Sequence, residues 1–162
     1  MPTALLIIDV QQVLSSGEHA AYEVERVIDR INLVSRKVRA ADGLVVVIQH
    51  ETRGGNMDYG SDSWNLAPGL EVGDGDVHVR KTATDSFHRT ELHNVLLARG
   101  ITNLIICGLQ SDFCVDTTTR RALALADRAY VMERGRIALS GTGAELLDNR
   151  DVAAAYLGTT VS

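Results

Sequence analysis

Three residues of this sequence, Asp9, Lys81 and Cys114, each follow a short segment with the pattern of a strand, and together they could perform nucleophilic chemistry. A carboxylate near a thiol can accept its proton, and a lysine ammonium lowers the thiol pKa from an ordinary value of about 8.5. The three groups would form an activated thiol with its base and charge partner. Taken singly, each has an ordinary explanation: a turn aspartate, a solvated lysine and a small buried cysteine.

The stretch around Cys114 predicts a change from strand to helix at the cysteine. Residues 104–107 form an apolar run, Gly108 interrupts it, and apolar or small residues recur at helical spacing from Val115 onward. Free amide N–H groups and the helix dipole at such a point favour a thiolate over a thiol. The same N–H groups could stabilise an oxyanion. Cys114 is therefore well placed to act as a nucleophile, although a small buried cysteine at a helix start would show the same pattern.

The elements that must position these residues follow a βαβ pattern. Residues 4–8 are a continuous apolar run that predicts a central parallel strand ending at Asp9. Residues 20–41 carry a helical apolar stripe, and residues 44–48 predict the second strand. Further strands are predicted at 77–79, 103–107 and 129–132. The fold class is therefore α/β: three α/β/α layers around a mainly parallel, doubly wound sheet of order 3-2-1-4-5, with Asp9 and Cys114 across the switch-point crevice.

Composition limits the partners and the setting. The chain has 162 residues, 45% of them apolar, which suits one domain over residues 1–162. The net charge is -5, and no basic block stands out, so we expect neither nucleic acid nor a membrane surface as partner. Two cysteines are too few for a disulfide framework, and no apolar run approaches the length of a membrane span. We expect a cytoplasmic protein.

Four motifs resemble those of the isochorismatase-like cysteine hydrolases, the superfamily that includes nicotinamidase and N-carbamoylsarcosine amidohydrolase. They are residues 6–11 (LIIDVQ), 49–51 (QHE), 81–87 (KTATDSF) and 108–115 (GLQSDFCV). The resemblance covers about residues 4–125, in the family's order and spacing. It implies an isochorismatase-like fold and an Asp9–Lys81–Cys114 triad that hydrolyses a small amide, ureido or related carbonyl substrate through a thioester.

The resemblance also implies the surroundings of the triad. It places a non-proline cis peptide at Leu109–Gln110 and assigns the oxyanion to the N–H groups of Gln110 and Cys114. An irregular stretch at 51–76 carries aromatic residues that could line a pocket or simply pack. We assign five residues to substrate binding: Gln11, His50, Trp64, Phe87 and Phe113.

A metal centre is not expected. Nicotinamidases share an Asp–His–His metal site. Residues 49–51 of this chain offer His50 and no second histidine at suitable spacing. A lone histidine is more often a packing or surface residue than a ligand. The sequence therefore predicts no catalytic metal and no other cofactor, and nicotinamide becomes a less favoured substrate.

The C-terminal part departs from the family. Residues 122–158 resemble the end of an ABC-transporter ATPase of the branched-chain amino-acid type. No Gly-x-x-x-x-Gly-Lys-Ser/Thr stretch occurs, so ATPase activity is excluded. We interpret residues 122–162 as an atypical, recombined segment of the domain. It contains a predicted hairpin at 130–139, a capping box formed by Thr142 and Glu145, and an apolar stripe at 152–157.

Two functions therefore compete. The first is a cysteine hydrolase with a small-molecule substrate, which the triad favours. The second is a catalytically idle α/β module for binding or oligomerisation, which the replaced C-terminus favours. The resemblance further implies a homo-oligomer, a dimer or a tetramer.

Overall fold

The computed structural model describes residues 1–17, 20–125, 129–133, 136–147 and 149. Strands and helices alternate along most of the chain. In order, they are β1 (Thr3–Ile8), a 3₁₀ turn (Gln12–Leu14), α1 (Val24–Ala40), β2 (Leu44–His50), β3 (Val77–Lys81), α2 (Leu92–Ala98), β4 (Asn103–Gly108), a π-helical turn (Ser111–Val115), α3 (Asp116–Leu125), β5 (Ala129–Glu133), β6 (Arg136–Gly141) and α4 (Gly143–Leu147).

The main sheet is parallel and has the order β3-β2-β1-β4, which confirms that part of the predicted topology. Strand β1 lies at its centre, where Leu6 pairs with Val46 on one side and with Ile106 on the other. Successive side chains of a strand point to opposite faces. Accordingly Leu6 joins one hydrophobic cluster and Ile7 the other, and neither has any exposed surface. The continuous apolar run of β1 is explained by this double burial.

Helix α1 covers one face of the sheet and fixes the long loop that follows β2. Its apolar stripe buries Ile28, Ile31 and Val38 against that face. The Asn32 side chain donates to the Gly69 carbonyl (2.8 Å) and accepts from the Glu71 N–H (2.9 Å). Arg39 forms a two-oxygen ion pair with Asp76, with distances of 2.9 and 2.6 Å. The loop at 51–76 is thus attached to the helix by buried polar contacts.

The fifth strand does not occupy its predicted place. Strand β5 pairs with β6 in a separate antiparallel sheet, and no described residue pairs with the outer edge of β4. Leu104 and Ile105 of β4 are 36% and 40% exposed, unlike the residues of β1. A groove of about 590 Å³ lies between α1 and this edge. The prediction failed because a hairpin satisfies the hydrogen bonds of β5 locally.

The C-terminal segment otherwise follows the expected local pattern. The predicted hairpin is confirmed as β5 and β6, with its turn at 134–135 outside the described residues. The capping box is confirmed: the Thr142 N–H donates to Glu145 Oε2 (2.8 Å), and the Glu145 N–H donates to Thr142 Oγ1 (3.2 Å). Leu146 of α4 packs on Leu123 of α3. The apolar stripe predicted at 152–157 lies outside the described residues. Among the described helices, none has the length and apolar character needed to cross a bilayer.

Candidate functional site

The site begins where β1 ends, at Asp9. Its N–H donates to the Ile48 carbonyl of β2 (2.9 Å), so the strand pairing continues as far as this residue. Asp9 has a φ of 52°, in the left-handed region that aspartate tolerates better than most residues. This turn directs the chain away from the sheet. The carboxylate is left at the carboxyl end of the central strand, where open α/β sheets bind ligands.

Gly108 brings β4 against this position. Its φ of 138° is open to glycine, and a Cβ at this position would collide with the Ile8 carbonyl oxygen. The next N–H, of Leu109, donates to that same carbonyl at 2.8 Å. The close approach of the two backbones therefore requires glycine, and it sets the chain after β4 beside Asp9.

Two of the three candidate catalytic residues, Asp9 and Lys81, form an ion pair in the interior. Lys81 Nζ lies 2.8 Å from Asp9 Oδ2, and the two side chains are 0% and 3% exposed. The ammonium also donates to the Ala83 carbonyl (3.1 Å) and contacts His50 Nδ1 (3.3 Å). Lys81 comes from β3, two strands away from β1, so its long side chain reaches inward across the end of β2. A buried ammonium with three partners satisfies its hydrogen-bonding capacity.

Cys114 lies in the π-helical turn that precedes α3. The Leu109–Gln110 peptide is cis, as the family resemblance implied. The Gln110 carbonyl accepts the N–H groups of Phe113 (3.2 Å) and Val115 (3.4 Å), which closes the turn. The sulfur of Cys114, a carboxylate oxygen of Asp9 and a ring nitrogen of His50 all lie within 4.8 Å of one another. The structure thus brings together groups that are far apart in the sequence.

The protonation state of Cys114 differs from the sequence-based expectation. The pKa of its thiol is raised to about 11, first by burial and then by the neighbouring Asp9 carboxylate, while Lys81 lowers it without overcoming the other two effects. The lysine therefore acts in the predicted direction, but the resting group is a neutral thiol. The sequence reasoning counted the lysine and the helix start as favouring a thiolate and gave the carboxylate the role of proton acceptor, but it did not weigh burial or the repulsion between a carboxylate and a thiolate. Such a thiol needs a base when it attacks.

His50 is closer to Asp9, Lys81 and Cys114 than its predicted role in substrate binding required. Burial and the charge of Lys81 lower the pKa of its imidazole, so the ring is neutral near pH 7. An ammonium can only donate, so Nδ1 accepts from Lys81 and the ring proton lies on Nε2. His50 is half-buried. Its imidazole therefore helps to hold the lysine in place and can still contact a substrate.

Gln11 has a different position from the one predicted. It is fully buried, and its Nε2 donates to the carbonyls of His50 (3.0 Å) and Trp64 (2.8 Å), while its Oε1 accepts from the His50 N–H (2.8 Å). Every donor of this amide is used. Gln11 therefore connects the end of β1 to β2 and to the loop at 51–76. Its side chain has no exposed surface for a ligand.

The three aromatic residues assigned to the pocket occupy separate environments. Phe113, next to Cys114 in the chain, is 57% exposed. Phe87 is half-buried and packs against the hydrophobic cluster beneath α2. Trp64 lies edge-to-face on Tyr59, with ring centroids 4.8 Å apart. The guanidinium of Arg80 lies over the Tyr59 ring, 4.2 Å from its centroid. Their contact with a substrate remains a prediction, and Phe113 is the most accessible of the three.

A buried pair of hydroxyl groups, which the sequence reasoning missed, links the segment after β3 to helix α3. Thr118 Oγ1 lies 2.8 Å from Ser86 Oγ and accepts the Ser86 N–H at 3.1 Å. Both residues have no exposed surface. Ser86 follows Lys81 by five residues, and Thr118 follows Cys114 by four, one helical turn later. The sequence signal that could have revealed this contact is Thr118, a polar residue on the buried face of the predicted helix.

Comparison with known proteins gives the site a family context. An isochorismatase domain model matches residues 3–151. A streptothricin hydrolase from Streptomyces noursei is 40% identical over 129 residues, which are 79% of this chain and 47% of that protein. The chain thus spans about half the length of this curated relative. A shorter match, 56% identical over 46 residues, is to the branched-chain amino acid transport ATP-binding protein BraG of Pseudomonas aeruginosa. It covers 28% of this chain and 20% of that one.

Solved structures agree with the sequence matches. A crystal structure of an isochorismatase family protein superposes with a TM-score of 0.72 at 35% identity, covering 76% of this chain and 74% of that one. The N-carbamoylsarcosine amidase of Thermoplasma acidophilum superposes with a TM-score of 0.75 at 25% identity, covering 86% of each chain. The sheet described above is therefore a known arrangement, shared with proteins named as hydrolases.

Proposed function

The chain belongs to the isochorismatase family, and from that premise we propose that it is a cysteine hydrolase of a small amide, ureido or related carbonyl substrate. The observation that carries the proposal is the cluster at the end of the sheet. A thiol, a carboxylate and an ammonium from three separate segments meet in one place, and two of them are almost completely buried. Burying an ion pair costs desolvation energy, so a role in function is one reason for a protein to keep it, and perturbed titrating groups cluster at functional sites.

In the first half of the reaction, Cys114 attacks the substrate carbonyl. Because its thiol is neutral at rest, Asp9 takes the proton as the C–S bond forms. The N–H groups of Gln110 and Cys114 are the proposed donors to the oxyanion of the tetrahedral intermediate. Asp9 then gives the proton to the leaving nitrogen, and ammonia or an amine departs as the C–N bond breaks.

In the second half, water hydrolyses the thioester. Asp9 accepts a proton from the water as the water oxygen attacks the same carbonyl carbon. The C–S bond then breaks, and Asp9 gives that proton to the leaving sulfur, which returns the thiol. The products are a carboxylic acid and free Cys114. Throughout, Lys81 holds the Asp9 side chain in place through the 2.8 Å ion pair, while His50 contacts the lysine.

A substrate panel tests the proposal. It contains small primary amides, N-carbamoyl amino acids including N-carbamoylsarcosine, and streptothricin, because the relatives are named for acting on the last two. The readouts are ammonia release and, for a ring-opening reaction, a mass gain of one water. Cys114→Ala should reduce kcat/KM by about 10⁴-fold on any substrate found. The matched control is Cys107→Ala, which removes a thiol bonded to the Leu6 carbonyl in the sheet. Full activity in Cys114→Ala would disprove the thioester route.

The alternative, an idle module, is favoured by one observation. Leu104 and Ile105 on the β4 edge are exposed, and such an edge suits contact with another chain in a dimer or tetramer. Size-exclusion chromatography with light scattering measures the oligomeric state. An oligomer together with no turnover of any panel member, and no acyl-enzyme by mass spectrometry, would favour this alternative over the hydrolase.

A further inference from the structure

We propose that Thr118 is a positioning residue: its buried hydroxyl fixes the turn at residues 83–86, and that turn holds the Lys81 ammonium beside Cys114. Thr118 lies on α3, four residues after Cys114 and one helical turn further along. It has no exposed surface. The inference rests on the proposed function and deepens it, because it names a residue that the reaction requires although it is buried away from the substrate.

The hydroxyl of Thr118 has three partners, all in the one turn. Its Oγ1 accepts the Ser86 N–H at 3.1 Å and lies 2.8 Å from Ser86 Oγ. The third partner is the Thr84 carbonyl oxygen at 3.4 Å, which can only accept. The assignment that satisfies every group has Thr118 donating to Thr84 and accepting from both donors of Ser86. The donor and both lone pairs of the hydroxyl are then used.

The other side of the same turn holds the lysine. The Ala83 carbonyl, one residue before Thr84, accepts a hydrogen bond from Lys81 Nζ at 3.1 Å. The turn thus attaches the ammonium to α3, whereas Asp9 and His50 attach it to strands β1 and β2. Because α3 follows directly from the turn that carries the cysteine, the hydroxyl of Thr118 relates the position of the ammonium to that of the sulfur.

A positioning role and a merely structural role predict opposite changes at Cys114. Lys81 lowers the pKa of this thiol, whereas burial raises it. Without the hydroxyl, a turn that is free to shift lets the ammonium move away, so the thiol pKa rises and alkylation slows. If the hydroxyl only stabilised the packing, its loss would loosen the site, reduce burial and make alkylation faster.

The test follows the alkylation of Cys114 by iodoacetamide in the whole chain at pH 8, using peptide mass spectrometry. Thr118→Val keeps the shape of the side chain and removes the hydroxyl, so labelling should become about three- to tenfold slower. Thr118→Ser keeps the hydroxyl and should restore the native rate. Thr119→Val is the matched control, because Thr119 is also buried on α3 and its Oγ1 has no hydrogen-bond partner among the described residues. It should label at the native rate.

Turnover gives a second readout on any substrate that the panel finds. Thr118→Val should lower kcat about tenfold or more, because a displaced ammonium disturbs the geometry of the reacting groups. KM should stay within about twofold, since the hydroxyl does not contact the substrate. Thr118→Ser should again recover the native values.

The outcomes separate this inference from the proposed function. Labelling needs no turnover, so a chain that hydrolyses nothing counts against the hydrolase and leaves the labelling result to decide the role of Thr118. Slower labelling in Thr118→Val, with native rates in Thr118→Ser and Thr119→Val, supports the inference. Unchanged or faster labelling in Thr118→Val overturns it, as does equal slowing in Thr119→Val.

A milder variant decides the question if circular dichroism shows that Thr118→Val does not fold. Ser86→Ala removes one of the three partners of the Thr118 hydroxyl and leaves the other two in place. Slower labelling of Cys114 in this variant supports the inference, and labelling at the native rate or faster contradicts it.

Discussion

The carboxyl end of the sheet and its lateral edge at β4 differ in how completely their residues are buried and paired. At the carboxyl end, Asp9 and Lys81 are buried and paired, and Gln11 uses every donor of its side chain. At the lateral edge, Leu104 and Ile105 are exposed, and no described residue pairs with the outer side of β4. Both regions belong to the same sheet, and β4 belongs to both.

The difference shows that the site and the edge depend on separate parts of the chain. All residues in the catalytic cluster come from segments that precede residue 115, and their contacts are made by β1, β2, β3 and the turn after β4. The segment that the sequence predicts to be atypical, residues 122–162, contains β5, the strand that was expected to flank β4. A change in that segment can therefore alter the edge and leave the geometry of the cluster intact.

The largest expected effect is at the buried ion pair. Lys81→Met leaves the Asp9 carboxylate buried without its cation, so we expect a loss of about 3–5 kcal/mol in the free energy of unfolding, measured by urea denaturation. Lys37→Met on the exposed surface of α1 is the matched control and should cost less than about 0.5 kcal/mol. An equal loss in the free energy of unfolding for the two variants would mean that the ion pair at the carboxyl end stabilises the fold no more than an exposed lysine does.

Gly108 tests the close approach of β4 to β1. Gly108→Ala adds a Cβ at a φ of 138° and against the Ile8 carbonyl, so we expect destabilisation of more than about 3 kcal/mol together with loss of activity. Gly54→Ala is the control, because its φ of 71° carries the backbone penalty while nothing lies within 4 Å of the added Cβ. It should cost about 1–2 kcal/mol. Similar values for both glycines would remove the argument that packing requires Gly108.

The raised pKa of Cys114 predicts how its alkylation rate depends on pH. Because the pKa of Cys114 is raised to about 11, its alkylation rate should rise about tenfold per pH unit and show no plateau below pH 10. In the urea-unfolded chain the rate should level off near pH 9. The raised pKa stabilises the fold fully below about pH 9, and this contribution is lost as the pH rises through 11.

The Asp9→Asn variant sharpens the same measurement. Removing the carboxylate removes one cause of the raised thiol pKa, so labelling of Cys114 should become faster at pH 8 while hydrolysis is lost. Cys107, whose pKa burial raises to about 12, serves as the internal reference and should stay poorly labelled. Slower labelling of Cys114 in Asp9→Asn would mean that the carboxylate already assists the resting thiol.

The smallest effect is expected at the edge. Ile105→Thr replaces a 40% exposed side chain, so the free energy of unfolding should change by less than about 0.5 kcal/mol. Ile7→Val, at a fully buried position of β1, should cost about 0.5–1.5 kcal/mol by comparison. A cost at Ile105 equal to that at Ile7 would show that another part of the chain, or a second copy, covers β4 in solution.

Much of the fold was accessible from the sequence because its signals are local. The apolar run of β1, the helical stripe of α1 and the capping box of Thr142 and Glu145 each predict one element, and all three are present. The strand order 3-2-1-4 was also part of the predicted doubly wound topology, and it is confirmed. The fifth position was wrong because the partner of an isolated strand depends on competing long-range contacts, which no local pattern records.

The sequence by itself determined which groups could react: a cysteine, a carboxylate and a lysine, each at the end of a strand. Only the tertiary structure decided the state of those groups. Burial and the nearness of Asp9 favour the thiol form of Cys114 over the thiolate that the helix start and the lysine favour, and His50 contacts Lys81. The physical reason is that pKa values and hydrogen bonds depend on distances and desolvation among residues remote in sequence, and these are fixed only when the strands assemble.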